Sequence, residues 1–265
     1  MFWPAVLFPK AWRQFFWRGS LGKCTVCESE IRSWQWRGHS YPIVEELEIV
    51  GSGRRKVDCP VCGSSDRDRL VWEYLQSQLP SVQVDDRFSV LHVAPERCIA
   101  DRLKEQKHLH YVGVDKKSKG YYYPKWVMHA DITKPFVTQP ENFDIILCNH
   151  VMEHVSNDGL ALNVLISKLK PGGQLILSVP MAHKLTSTRE SNTQIWEKLT
   201  NSEKIQQFGQ SDHFRIYGTD VLERWQALTA DFKGTWLEYT SNHNHTTQKL
   251  FSLNPKERLI IYFHE

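Results

Sequence analysis

The sequence predicts an α/β fold, a doubly wound Rossmann-like sheet, preceded by a small N-terminal zinc-binding unit. Two observations predict it. From residue 88 onward, short apolar runs typical of buried strands alternate with segments that carry apolar residues at helical spacing. Before that point, two Cys-x-x-Cys pairs stand in a Trp-rich stretch without clean periodicity. We therefore expect an aromatic and basic segment (1–23), a zinc-ribbon-like unit (24–80) and an α/β domain (81–265).

Composition narrows the class of protein. The chain has 265 residues, of which 41% are hydrophobic and 24% charged, as in ordinary globular proteins. Its net charge of +3 does not by itself favour nucleic acid as a partner. No apolar stretch approaches the roughly 20 residues that span a membrane, and no signal peptide is recognisable. We expect a cytoplasmic protein, in which paired cysteines indicate metal binding rather than disulfides.

The elements of the α/β domain follow in order. Apolar runs predict strands at 88–94, 112–115, 126–131, 143–149, 174–179, 234–241 and 258–263. Apolar spacing predicts a helix over 158–170, closed by Pro171-Gly172-Gly173. A second helix is predicted to begin at a cap provided by Thr219 or Asp220 and to continue through Ala227.

The cysteine pairs have the spacing of a metal site. Cys24 and Cys27 form one Cys-x-x-Cys knuckle, and Cys59 and Cys62 form the other. Four thiolates complete the tetrahedral shell that Zn²⁺ prefers, and such a shell leaves no position open for a reactant. We therefore expect a structural zinc ion, with a small β-insert such as residues 31–50 between the knuckles. The alternative is two unrelated redox or free pairs.

Polar residues stand where the predicted strands end. Ligands of open α/β sheets bind outside the carboxyl ends of the strands. Glu96, Asp115, Asp131 and Asn149 follow four of them. Asp115 comes about 20 residues after the first strand, the spacing at which a carboxylate accepts hydrogen bonds from a ribose diol. Each acid alone is also typical of a helix or turn cap, but their succession favours a nucleoside-binding edge.

The first strand-to-helix corner excludes some cofactors. The sequence "HVAPERC" (92–98) contains no glycine, although pyrophosphate binding requires converging backbone N–H groups and close backbone approach. Pro95 lacks an N–H, and Glu96 would repel phosphate. NAD and FAD are therefore disfavoured. S-adenosylmethionine (SAM), which carries adenosine, an ammonium and a sulfonium but no phosphate, fits better, because a carboxylate attracts its cationic groups.

Residues 88–180 resemble class I SAM-dependent methyltransferases. The similarity rests on "YVGVD", "ADITKPF", "NFDIILCNHVMEHV" and "LISKLKPGGQLILSVP", and a cysteine-rich segment before "LHVAPE" resembles that of a bacterial group in this family. The resemblance implies a seven-stranded sheet with the last strand antiparallel and SAM across the first, second and fourth strand ends. Its implied contacts are Ala94 and Glu96 at the methionine portion, Asp115 at the ribose, Asp131 and Ile132 at the adenine, and Asn149 and His150 near the sulfonium.

Candidate acceptor-side residues form two groups. His150, Glu153 and His154 follow the fourth strand, and "FGQSDHFRIYG" (208–218) follows the fifth, where the resemblance implies a cover over the substrate pocket. We predict His213 as general base, oriented by Asp212, and His150 as a second base. Arg215 and Tyr217 are predicted to contact the substrate, Arg215 through an anionic group. The alternative for the second group is a salt-bridged loop that only closes the fold.

Two aromatic segments have open interpretations. "KGYYYPKW" (119–126) either flanks the cofactor or packs as a surface loop. Residues 1–20 combine aromatic and basic side chains, which suits peripheral contact with a membrane. The alternative is that they pack on the zinc unit or on a partner subunit.

Three functions compete. The leading one is methyl transfer from SAM to a small-molecule or glycan-precursor acceptor. The second is RNA methylation with the zinc unit gripping RNA, although the motif of amino-directed base methylation is absent after Asn149. The third is a scaffold that keeps the fold without turnover. The sequence identifies neither the acceptor atom nor the oligomeric state.

Overall fold

The computed structural model describes residues 9–80, 88–116 and 124–265. The strands are β1 (Arg18–Lys23), β2 (Glu30–Ile31), β3 (Gln35–Arg37), β4 (Ile49–Val50), β5 (Arg55–Asp58), β6 (Phe88–Val93), β7 (Leu109–Asp115), β8 (Val127–His129), β9 (Phe143–Asn149), β10 (Leu169–Ser178), β11 (Met181–Ala182), β12 (Arg189–Glu190), β13 (Arg215–Ile216), β14 (Gly234–Tyr239) and β15 (Leu259–His264). The helices are α1 (Lys10–Trp17), α2 (Pro42–Glu46), α3 (Asp66–Gln78), α4 (Arg97–Glu105), α5 (Asp158–Ile166), α6 (Thr193–Lys198), α7 (Asn201–Phe208), α8 (Val221–Leu228) and α9 (His245–Phe251).

A seven-stranded sheet forms the centre of the molecule. Its strand order is β14-β15-β10-β9-β6-β7-β8. Strands β10, β9, β6, β7 and β8 run parallel, and β15 pairs antiparallel with both β10 and β14. The central parallel strands β6 and β9 are buried over nearly their whole length, whereas β8 at the sheet edge exposes Met128 and His129. The predicted fold class, including the antiparallel last strand, is confirmed.

The segment around Pro171 differs from the prediction. Helix α5 ends at Ile166, and Leu169 already pairs with Phe143 as the first residue of β10. The register then shifts before Gln174, so the Pro-Gly-Gly sequence lies in an irregular stretch at the start of a strand. Tertiary pairing thus overrides a local pattern that favoured a longer helix.

Helix α8 begins directly after Asp220, one of the two predicted capping residues, but the Asp220 side chain does not cap the helix. Asp220 is the N-cap residue and makes no side-chain capping bond. Its Oδ1 instead accepts from Thr188 Oγ1 at 2.8 Å. The carboxylate therefore holds the preceding loop rather than the helix start.

The N-terminal unit is attached to the sheet domain along its length. Its two hairpins are β1–β2 and β3–β5, and β4 pairs antiparallel with β11, which follows the fifth parallel strand. One hydrophobic core contains side chains from both parts, among them Cys24, Leu70, Val90, Ile176 and Ile261. The boundary predicted at residue 80 stays a prediction, but no separate core marks it within the described residues.

Helix α1 exposes large apolar side chains. Trp12, Phe15 and Phe16 are 58%, 79% and 52% exposed. The preceding aromatic residues, at positions 2, 3 and 8, lie outside the described residues, as do positions 119–123 of the aromatic loop. Within the described part of the chain, no helix combines the length and apolar character of a membrane span. Membrane contact through residues 1–20 stays a prediction.

Candidate functional site

Two strands of the central sheet end in the same unusual backbone conformation. Ala94 follows β6 and has φ 47°, and His150 follows β9 and has φ 50°. Their N–H groups donate to Val114 O and Ser178 O, both at 2.8 Å. The left-handed conformation costs a non-glycine residue about 1–2 kcal/mol. The residue after β6 therefore has the backbone conformation that glycine favours, although it is an alanine.

Glu96 is held in position by a buried histidine. His92 is fully buried in β6, and its Nε2 lies 2.6 Å from Glu96 Oε2. The other ring nitrogen, Nδ1, lies 3.1 Å from Tyr111 Oη. The carboxylate at the start of α4 thus has a fixed orientation at the strand edge. One of its oxygens is used by the histidine, and the side chain keeps 16% exposure.

Asp115 and Asp131 lie at the ends of neighbouring strands. Asp115 ends β7, and the N–H of Ala130 donates to its carbonyl at 2.9 Å. Asp131 Oδ1 accepts from Thr133 N and Oγ1 at 3.0 and 2.7 Å, so this carboxylate also closes a local turn. Burial raises the pKa of Asp131, but the bonds from Thr133 outweigh it and leave the pKa below its ordinary value.

Ile132 and Asn149 complete this edge. Ile132 is 6% exposed and provides an apolar surface beside Asp131. Asn149 is 4% exposed, and its Oδ1 accepts from Ser178 Oγ at 3.2 Å. Its Nδ2 is buried without a hydrogen-bond partner among the described residues. Because a buried donor without a partner is costly, this amide marks a position for a polar ligand atom.

A compact cluster of histidines and carboxylates lies beyond β9. His150 Nδ1 is 3.4 Å from Glu153 Oε1, and His154 Nε2 is 4.0 Å from the same oxygen. His154 Nδ1 is 3.2 Å from Asp212 Oδ2. The His213 ring stands edge-on to that of His154, with centroids 4.6 Å apart. The structure thus brings together both predicted acceptor-side groups, which lie about 60 residues apart in sequence.

Burial and the ion pairs set the charges of this cluster. Burial and the positive charge of Arg67 lower the pKa of His150 to about 4. Burial would raise the pKa of Glu153, but the bond with His150 and the neighbouring imidazoles lower it to about 2. Burial also lowers the pKa of His213. Near neutral pH the cluster therefore contains an ionised Glu153 beside neutral His150 and His213, which have lone pairs to offer. Burial would lower the pKa of His154, but its hydrogen bond with Asp212 and the charge of Glu153 raise it above its ordinary value.

A family model described as a methyltransferase domain matches residues 70–239, which is more than half of the chain. The chain belongs to the methyltransferase domain family. The predicted methyltransferase family, and with it the prediction of a methyltransferase enzyme, is confirmed at this level. The comparison with curated proteins gave no match.

Solved structures similar to this methyltransferase include enzymes of several substrate types. The plantazolicin methyltransferase BpumL, solved with SAH, is 13% identical over 66% of this chain and 75% of its own, with a TM-score of 0.42. The glycopeptide N-methyltransferase MtfA, complexed with SAM, is 10% identical over 73% and 92%, with a TM-score of 0.47. The CMeT domain of the citrinin polyketide synthase is 15% identical over 74% and 50%, with a TM-score of 0.42.

Arg215 and Tyr217 fasten the His213 segment of the methyltransferase to the residues after β9. The Arg215 guanidinium is 2% exposed and donates to the carbonyls of Met152, Val155 and Ser156 at 2.5–2.9 Å. Tyr217 is fully buried, and its hydroxyl donates to Asp158 Oδ2 at 3.0 Å. These contacts position the cluster. The substrate contacts predicted for the two residues stay predictions, because no bound acceptor tests them.

The four cysteines of the knuckles converge. The Sγ atoms of Cys24 and Cys62 are 3.7 Å apart, as are those of Cys27 and Cys59, and the four ligand atoms lie within 4.8 Å of one another. Tetrahedral Zn–S bonds of about 2.3 Å place sulfur atoms roughly 3.8 Å apart. All four thiols are free of disulfides. The arrangement fits the predicted zinc ion.

The two knuckles have matching backbone geometry. Glu28 N donates to Cys24 O at 2.7 Å, and Gly63 N donates to Cys59 O at 2.9 Å. Glu28 and Gly63 both adopt left-handed conformations, with φ of 61° and 82°. These turns explain how each pair points two sulfurs to one point. The second such turn has the glycine that this conformation favours.

Sequence patterns did not reveal how far the N-terminal unit reaches over the site. Gly51 has φ +78°, and a Cβ built there would lie 2.9 Å from His150 Cε1. Ile49 and Val44 pack in one apolar cluster with Phe208. In the sequence, the only indication of this approach was the glycine after "EIV". The reason for a glycine there becomes clear only from the pairing of β4 with β11.

Arg67 is a second residue that the sequence gave no reason to select. It lies in the first turn of α3, with 20% of its side chain exposed, and its Nε has no hydrogen-bond partner among the described residues. Arg67 and Glu96 line one cavity of about 1030 Å³ between the N-terminal unit and α4. A cationic side chain of the N-terminal unit and an anionic side chain of the sheet domain thus line the same cavity.

Proposed function

We propose that the chain binds SAM at the edge formed by Ala94, Glu96, Asp115, Asp131 and Asn149, and transfers its methyl group to a small-molecule or glycan-precursor acceptor. The observation that carries the proposal is that these residues lie at or follow the carboxyl ends of the adjacent parallel strands β6, β7, β8 and β9 in a chain of the methyltransferase domain family. SAM would supply a methyl group on a sulfonium. A nucleophile on the acceptor would bond to that methyl carbon as its bond to sulfur breaks, so that the neutral thioether S-adenosylhomocysteine leaves.

The residues at this edge fit SAM in charge and polarity. Glu96, oriented by His92, suits the methionine ammonium, and Arg67, which lines the same cavity, suits the methionine carboxylate. Asp115 suits the ribose hydroxyls. In our proposal the unpartnered Nδ2 of Asn149 meets a ligand oxygen near the reacting end. Asp131 and Ile132 would border the adenine, one with a carboxylate and one with an apolar side chain.

The acceptor is proposed to lie beside the histidine cluster. His150 is 8% exposed, is neutral near pH 7 and keeps an Nε2 without a partner among the described residues. It is our candidate for accepting a proton from the acceptor. The largely buried surroundings favour a small acceptor group over an RNA duplex, and a basic stripe beside the cluster would be needed for the RNA alternative. The base role of His213 stays a prediction.

The four-cysteine cluster is proposed to hold a structural zinc ion. The support is its sulfur spacing, its burial and the matched knuckle turns. Because four thiolates fill the coordination shell, this ion would stabilise the fold without contacting SAM or the acceptor.

Calorimetric titration with SAM tests the cofactor proposal. We expect micromolar binding by the zinc-loaded protein and an affinity loss of about ten- to a hundredfold in Asp115→Ala, because hydrogen bonds to a carboxylate contribute about 1.5–3 kcal/mol. Asp231→Ala, an exposed acid after α8, is the matched control and should bind SAM like wild type. If wild type shows no binding, the scaffold alternative replaces the enzyme. If Asp115→Ala binds normally, the proposed edge is wrong.

A further inference from the structure

Three side chains near β9 form a metal-ligand set separate from the four cysteines. Glu153, His154 and His213 each offer one ligand atom, and these atoms lie within 4.8 Å of one another. Ligands bonded at about 2.0–2.2 Å to a shared ion lie roughly 3–4 Å apart. One pair of these atoms, Glu153 Oε1 and His154 Nε2, is 4.0 Å apart, which is too long for a hydrogen bond.

The cluster contains buried lone pairs that no donor in the described part of the chain uses. Glu153 is 2% exposed, and its Oε2 has no hydrogen-bond partner among the described residues. His213 is 4% exposed, and its Nε2 is likewise unpartnered there. A protein that buried these atoms only to close its fold would leave two polar groups unsatisfied, at about 1–3 kcal/mol each. A cation between them satisfies both.

We propose that Glu153, His154 and His213 bind a divalent transition-metal ion such as Zn²⁺, Mn²⁺ or Co²⁺. Two imidazoles and one carboxylate favour these ions over Mg²⁺ and Ca²⁺, which prefer oxygen ligands. Three protein ligands leave coordination positions open, and the 34% exposure of His154 lets solvent or another molecule reach them.

Neighbouring groups already orient the three ligands. Asp212 Oδ2 lies 3.2 Å from His154 Nδ1, which turns the Nε2 of that ring toward Glu153. Carboxylates that hold the far nitrogen of a ligand histidine are typical partners in metal sites. Phe214 N donates to Glu153 O at 2.8 Å and so ties the His213 segment to the short 3₁₀ helix Met152–His154.

Metal binding would change which histidines are available for acid–base chemistry. Metal binding and proton abstraction by His213 would use the same lone pair, so a ligand role excludes the predicted base role of His213. His150 then remains as the base candidate. The ion would lie on the acceptor side of β9 and bind an oxygen atom of the acceptor. This contact with the acceptor rests on the proposed function. Metal binding itself does not depend on it.

Metal analysis of the full chain tests the site. Protein carrying zinc in the cysteine cluster is equilibrated with micromolar Co²⁺, and bound metals are counted by elemental mass spectrometry. We expect wild type to take up one Co²⁺ per chain without thiolate-to-cobalt absorption. Glu153→Gln and His213→Ala should each lose that ion, and Asp212→Asn should bind it about tenfold more weakly or worse. His245→Ala, an exposed histidine on α9, should bind like wild type.

Two outcomes would overturn the inference. One is a wild type that takes up no ion beyond the cysteine site, and the other is a Glu153→Gln or His213→Ala protein that keeps the second ion. Retained zinc and an unchanged circular dichroism spectrum report that a variant is folded. If both buried substitutions fail that check, His154→Ala decides, because its side chain is partly exposed. SAM titration of the same samples shows whether a negative result concerns the metal site alone or the proposed function too.

Discussion

Glu257 is a carboxyl group that folding buries almost completely. It is 2% exposed, and its Oε2 has no hydrogen-bond partner among the described residues. Burial, together with the negative charge of Asp66, raises its pKa from 4.5 to about 8, against the opposing charges of Arg67 and Arg55. At neutral pH the folded protein therefore holds a proton on Glu257 that the unfolded chain releases.

The sign of the resulting pH effect follows from this difference. Because the folded pKa lies above the unfolded one, the stabilising contribution is complete below pH 4.5 and is lost as pH rises through about 8. The loss is at most about 5 kcal/mol. We expect Glu257→Gln, which stays neutral, to flatten the decline in unfolding free energy between pH 5 and 9. Urea denaturation measures it, with exposed Glu265→Gln as control. Parallel pH profiles for wild type and Glu257→Gln would contradict the prediction.

Individual residues were predicted correctly where their spacing in the sequence indicates their structural position. The four cysteines have a fixed pattern, and they meet in the structure. Asp115 and Asn149 were selected as strand ends, and both end strands of the central sheet. Glu257 and Gly51 were not selected, because their surroundings come from elements about 200 residues apart. A local sequence pattern cannot predict a contact between elements so far apart in the chain.

At the scale of elements, Arg69 joins α3 to parts of the chain that are distant in sequence. It is fully buried, and its Cζ lies 4.2 Å from the Trp34 ring centroid. Its guanidinium donates at 2.6–2.9 Å to the carbonyls of Val57, Ser64, Phe251 and Ser252. The side chain thus ties the second knuckle and the end of α9 to one helix.

We expect Arg69→Met to lower the free energy of unfolding by at least about 3 kcal/mol, because it leaves two buried and two partly buried carbonyls without their donor. Arg69→Lys should lose nearly as much, since an ammonium cannot reproduce the planar set of donors. Urea denaturation of zinc-loaded protein gives the values. Arg97→Met, at a side chain that is 74% exposed, is the control. A loss no larger than that of the control would show that the network is unimportant for stability.

Element boundaries were predicted least well where pairing decides them. The seven strands and the antiparallel last strand agree with the family resemblance, and the strand cores agree with the apolar runs. Helix α5 ended four residues earlier than its apolar spacing indicated, since Leu169 was taken into β10. A Leu within an apolar run is compatible with either element, so only the partner Phe143 distinguishes them.

At the scale of the whole molecule, the cysteine cluster and the sheet share one hydrophobic core. Cys24 and Cys59 pack in the same cluster as Leu75 of α3, Ile99 of α4 and Ile261 of β15. The pairing of β4 with β11 adds a second attachment. A unit that is bound in this way cannot lose its own structure without exposing apolar surface of the sheet domain.

We therefore expect removal of zinc to destabilise the entire chain in one transition. Zinc binding to such clusters contributes several kcal/mol or more to folding, and about 1 kcal/mol corresponds to roughly 2–4 °C in Tm for a chain of this size. Chelator should lower Tm by more than about 10 °C in differential scanning calorimetry, and Cys59→Ser should reproduce the shift without chelator. Chelator already saturated with zinc is the control. Two transitions, the later one at the original temperature, would instead show that the N-terminal unit unfolds alone and that the shared core does not couple the two parts.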